Sequence, residues 1–228
     1  MEKIIEGNIN KILSLNQRIK NTYRINNFEP FRNCWVLLND NFATLPICKI
    51  GCTTIFAQAF IYSGKDSLFE FDKIKNEHAY KVYPSYFYET QELYVNKETI
   101  SQRKIILFRD PKSRLISAWK NIFNNCTFDE FVINVSRTLS NCNINNIDQH
   151  INLQYNHYNF NDIDIFIELK DYPQFCRKES IPWMALNQTS CTKDIEVSEF
   201  VENLIKDIYA KDYELIEQIK SSEKLWTC

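Results

Sequence analysis

Two short stretches of this 228-residue chain combine residue types suited to holding anions. The first is Lys49-Ile50-Gly51-Cys52-Thr53-Thr54. A glycine lets the backbone curl so that successive N–H groups converge, and a helix starting there adds the partial positive charge of its N-terminus. Lys49 adds a full charge, and Thr53 and Thr54 add hydroxyl donors. This is the chemistry of a phosphate cradle; the competing reading is an ordinary turn with a capping threonine. The second stretch is Arg109-Asp110-Pro111-Lys112-Ser113-Arg114-Leu115-Ile116-Ser117-Ala118-Trp119. A guanidinium recognises phosphate through planar, bidentate hydrogen bonds. Ser117 follows Arg109 by about two helical turns and offers a hydroxyl. The competing reading pairs Arg109 with a carboxylate and leaves Ser117 as helix filler.

The elements that must position these residues follow from pattern. Lys104–Phe108 is short, apolar and rich in β-branched residues, as a core parallel strand should be. It delivers Arg109 at its carboxyl end. Asp110 is placed to cap the next helix, with Pro111 at its first position. That helix should run to about Asn124, with Leu115, Ile116, Trp119 and Phe123 as its buried stripe. Ala43–Cys48 reads as a buried strand made irregular by Pro46, and Thr53–Tyr62 as the helix behind the lysine loop. Trp35–Leu38 is an apolar run ending in the turn signal Asn39-Asp40-Asn41. Thr127 should open a helix over Phe128–Leu139. Ile163–Leu169 reads as a strand, and Ser198 to about Ile219 as one helix with Phe200, Val201, Leu204, Ile205, Ile208, Leu215 and Ile219 inward. Alternation of strands and helices implies an α/β domain with a central parallel sheet flanked by helices. Ligands bind such sheets beyond the carboxyl ends of the strands.

Composition narrows the choices. A net charge of −2 leaves no general basic field for nucleic acid, so an anion site must be local. The three glycines, Gly7, Gly51 and Gly64, allow neither a GxGxxG dinucleotide loop nor a Walker A loop. No stretch approaches the about 20 apolar residues of a membrane span. The charged N-terminus lacks the hydrophobic core of a signal peptide, so a cytoplasmic location is expected. The eight cysteines have irregular spacing and no CxxC, which favours free thiols over disulfides or zinc. Residues 1–30 read as an N-terminal helix or arm, and 31–228 as one domain.

Taken together, the two stretches resemble the paired signatures of sulfotransferases that use 3′-phosphoadenosine 5′-phosphosulfate (PAPS). RDPKSRLISAWKNIF is similar to the Arg-Asp-Pro block of the carbohydrate branch, and KIGCTT to its lysine loop. Asp148–Gln154, with His150, resembles that family's His-x-x-Pro-Gln segment, and Asp164–Leu169 its strand ending in a glutamate. Tyr209 and Asp212–Leu215 also fit. The resemblance spans roughly residues 43 to 216. It departs at Cys48 where proline is usual before the lysine, at Thr54-Ile55 where an asparagine or aromatic follows, and at Leu153 in place of proline.

The resemblance implies a P-loop-like sulfotransferase fold and transfer of a sulfuryl group from PAPS to an acceptor hydroxyl, on a carbohydrate by analogy with that branch. The product would be 3′-phosphoadenosine 5′-phosphate (PAP), with no metal required. Lys49 would act on the leaving phosphate, Gly51, Cys52, Thr53 and Thr54 would hold the 5′-phosphosulfate, and Arg109 and Ser117 the 3′-phosphate. His78 and Glu77 are the candidates for the general base, with Glu89 and His150 on the acceptor side. A nucleotide-dependent phosphotransferase and a non-catalytic binding module of the same fold are the alternatives.

Overall fold

The computed structural model describes residues 35–64, 94–95, 100–122, 125–141, 147–183 and 195–227. The expected arm over 1–30 lies outside them. Internal contacts gather the chain into two compact units. A sheet unit is drawn from within Phe31–Arg109, His157–Cys191 and Gln218–Cys228. A helical unit includes Asp110–Asn156 and Thr192–Glu217.

The sheet unit holds five strands: β1 (Trp35–Leu37), β2 (Phe42–Thr44), β3 (Tyr94–Val95), β4 (Arg103–Phe108) and β5 (Ile165–Glu168). Their order is β3-β1-β2-β4-β5. β2, β4 and β5 are parallel, pairing Thr44 with Ile105 and Phe108 with Glu168. β1 is antiparallel to both β2 and β3. The sheet is therefore mixed, which corrects the parallel sheet expected from alternation. The reason is local: Asn39 Oδ1 accepts from the N–H of Asn41 and of Phe42, each at 2.9 Å, closing a tight turn. A turn this short can only join antiparallel neighbours.

Ile105 to Phe108 are all at most 2% exposed, as a central strand covered on both faces requires. β2 begins one residue earlier than expected and ends at Thr44. Leu45 to Cys48 form a loop instead, where Pro46 has no N–H to give a ladder. Helix α1 (Cys52–Tyr62) follows that loop. A further helix, α4 (Tyr172–Lys178), follows β5. It is tied to α1 by Tyr172, whose hydroxyl donates to Gln58 Oε1 at 2.6 Å, while Gln58 Nε2 donates to Pro182 O at 2.7 Å. The C-terminal tail runs beside β5: Phe166 N–H donates to Lys224 O and Trp226 N–H to Phe166 O, both at 2.8 Å. Trp226 then packs edge-on to Phe175.

The helical unit contains α2 (Pro111–Ile122), α3 (Phe128–Asn141), α5 (Glu199–Ile208) and most of α6 (Ala210–Lys220). Asp110 caps α2 as expected, its Oδ1 accepting from Ser113 N–H at 2.7 Å. Thr127 and Glu130 bond each other's backbone N–H at the start of α3, a capping box. The expected single C-terminal helix is instead two helices that meet at Tyr209. At the junction Tyr209 takes φ −108° and ψ 21°, and its hydroxyl donates to Ile151 O at 2.6 Å inside the unit. Phe200, expected inward, is 66% exposed; α5 buries Val201 and Ile205. The core of the unit joins Leu115 and Ala118 of α2 to Phe131, Val132 and Val135 of α3 and to Val201, Ile205 and Tyr209.

Candidate functional site

The lysine loop connects β2 to α1 and lies within the sheet unit. Ile50 N–H donates to Ile47 O at 3.2 Å, so residues 47–50 form a turn. Lys49 sits third in that turn with φ of 65°, and Gly51 caps α1 with φ of 80°. Both are left-handed. Glycine adopts this conformation freely, but a lysine gives up roughly 1–2 kcal/mol to do so. A Cβ on Gly51 would lie 3.2 Å from Leu169 Cδ1 and 3.6 Å from Leu107 Cδ1. The loop is thus pressed against residues at the ends of β4 and β5, where only a glycine fits without displacement. Cys52, Thr53 and Thr54 form the first turn of α1, whose amides have no acceptor within the helix. Thr54 is buried; Cys52 and Thr53 are partly exposed.

Arg109 leaves the carboxyl end of β4, next to the end of β2. Its Nη1 donates to the carbonyl oxygen of Lys49 at 3.3 Å, bridging 60 positions of sequence. Two of the predicted cofactor residues are therefore joined, the Arg109 guanidinium to the backbone of the loop that carries Lys49. The third parallel strand ends in Glu168, whose Oε2 is 2.6 Å from Lys170 Nζ on the surface.

Ser117 belongs to the helical unit and is 5% exposed. Lys112 of the same block pairs with Glu202 of α5. His78, Glu77 and Glu89 lie outside the described residues. His150 is described, in the segment over 147–156 of the helical unit.

That segment is held by Arg114 of the Arg-Asp-Pro block, by Asp212 and by Asp148. Arg114 is 1% exposed. It donates through Nη1 to Asn152 O at 2.5 Å and through Nη2 to Gln149 O at 2.7 Å. Asp212 accepts from the N–H of Gln154 and of Tyr155, each at 2.9 Å. Asp148 Oδ1 accepts from His150 N–H at 2.8 Å and lies 2.7 Å from His150 Nδ1. Burial alone would raise the Asp148 pKa, but the charge and hydrogen bonds of His150, with Arg114 beyond, hold it below the usual carboxylate value. Burial prevails at Asp212, whose pKa is raised despite its bonds. The sequence places Arg114 within the Arg-Asp-Pro block but assigns it no partners.

Among the described residues no group of three or more His, Cys, Asp and Glu is placed to hold a metal ion. No described helix is long and apolar enough to cross a membrane. Cys48, Cys52, Cys126 and Cys176 take part in no disulfide. No family model, curated protein or solved structure matches the chain.

Proposed function

We propose that the chain is a sulfotransferase that moves a sulfuryl group from PAPS to an acceptor hydroxyl, with a carbohydrate as the acceptor class. The observation that carries this reading is the bond from Arg109 to the Lys49 carbonyl. It ties the two motif loops together at the carboxyl ends of neighbouring parallel strands, where α/β sheets bind ligands. The residues suit a phosphosulfate: a left-handed glycine that opens a helix N-terminus, a lysine and an arginine. PAPS, when bound, supplies the sulfuryl group and a phosphate leaving group. Lys49 would neutralise charge developing on the leaving oxygen. The amides from Gly51 to Thr54 would hold the 5′-phosphate, and Arg109 would grip a second phosphate and so favour PAP over singly phosphorylated nucleotides. Catalysis of this kind rests on positioning and charge stabilisation. Glu77 and His78 are the residues to examine for the proton acceptor.

Lys49→Ala is expected to lower PAP release from PAPS by on the order of 10² to 10³, as loss of one charge-stabilising donor does. The assay is chromatographic, run with carbohydrate acceptors and without magnesium. Equal rates for variant and parent would contradict the role of Lys49.

A further inference from the structure

The Asp148–His150 pair has the geometry of an oriented proton acceptor, and all its groups belong to the helical unit. Asp148 is 2% exposed, while the His150 side chain is 21% exposed. The carboxylate is therefore fixed in the interior and the ring reaches the surface from it. With Nδ1 at 2.7 Å from Asp148 Oδ1, Nδ1 carries the proton and Nε2 holds the lone pair. No described residue hydrogen-bonds Nε2. Behind the carboxylate stands Arg114, fixed by two carbonyls, and beyond it Asp212 and the Tyr209 hydroxyl. Among the described residues, Arg114 is the charged group that acts on Asp148 besides His150.

A turn-forming role does not require the ring. The turn is already closed by the N–H groups of Ile151 and Asn152 donating to Asp148 O and by His150 N–H donating to Oδ1. Many residue types at position 150 would leave those three bonds in place. What histidine adds is an imidazole held in one tautomer, on a ring that is 21% exposed and whose Nε2 has no described hydrogen-bond partner.

We propose that Asp148 and His150 form a proton-accepting dyad whose ligand is an alcohol or water held at Nε2. In the step it supports, the ligand O–H bond breaks, its electron pair stays on oxygen, and its proton moves to Nε2. The resulting imidazolium is stabilised by the Asp148 carboxylate. Asp148 is the positioning residue.

Long-range ¹⁵N–¹H spectra of the full chain at pH 8 read the tautomer without any variant. A proton on Nδ1 of His150 is expected, and a proton on Nε2 overturns the assignment. Diethyl pyrocarbonate, followed by mass spectrometry, tests reactivity at the outward nitrogen. His150 should be modified before His157, which is 5% exposed. In Asp148→Asn the modification of His150 should slow several-fold, with the Nδ1 proton no longer favoured. Unchanged tautomer and rate in that variant would show the carboxylate to be a turn residue and overturn the dyad. Should Asp148→Asn fail to fold, the wild-type tautomer decides.

Discussion

Lys49 carries the sharpest tension at the scale of single residues, because it holds a left-handed backbone that its own side chain disfavours. Strain of this kind persists where surrounding structure over-determines it, and it gathers at functional sites. Here the closing bond of the turn and the guanidinium on its carbonyl supply that determination. Asp148 poses a different balance, a buried carboxylate held ionised by His150 and Arg114. Its folded pKa is depressed, so its stabilisation is fully present above about pH 4, the ordinary unfolded value. It is lost as pH falls through the lower folded value. Melting temperatures of the parent and Asp148→Asn should therefore differ clearly at pH 6 and converge below about pH 4. A gap that widens on acidification would contradict the ionised state.

Elements show why some of this arrangement was legible and some was not. β4 and the start of α2 could be read directly: an apolar β-branched run, then Asp110 and Pro111, dictate strand, cap and helix with little help from elsewhere. The capping box at Thr127 was equally local. The break at Tyr209 was not legible, because α5 and α6 share one continuous apolar periodicity. The break falls at Tyr209, whose hydroxyl bond reaches Ile151, 58 positions away. The partners of Arg114 were not legible for the same reason, since they are carbonyls in a distant segment rather than a neighbouring carboxylate. The lysine loop was legible as chemistry but not as geometry; nothing in KIGCTT announces that Lys49 itself is left-handed. Gly51 gives the element-scale test. Gly51→Ala places a methyl group 3.2 Å from Leu169 Cδ1 in a left-handed backbone. It should cost about 1–2 kcal/mol in urea denaturation, and an unchanged midpoint would mean that the loop is not pressed on the strands. A second test concerns the tail. Trp226→Ala should lower stability by about 1–2 kcal/mol through lost packing on Phe175, whereas a neutral outcome would detach the tail from the fold of β5.

For the molecule as a whole, the charge balance frames the functional claim. A chain with a net charge of −2 attracts anions nowhere in general. Polyanion affinity must therefore come from a local site, and the Arg109 guanidinium is bonded to the backbone of the loop that carries Lys49. The most direct measurement is calorimetric titration of the full chain with PAP, beside AMP and ATP, in buffer without magnesium, with Arg109→Ala in parallel. The account predicts tight binding of PAP, weak binding of the other two, and a loss of roughly 1.5–3 kcal/mol of PAP affinity per charged hydrogen bond removed in the variant. Binding of ATP in preference to PAP, or PAP binding that ignores the loss of Arg109, would contradict it.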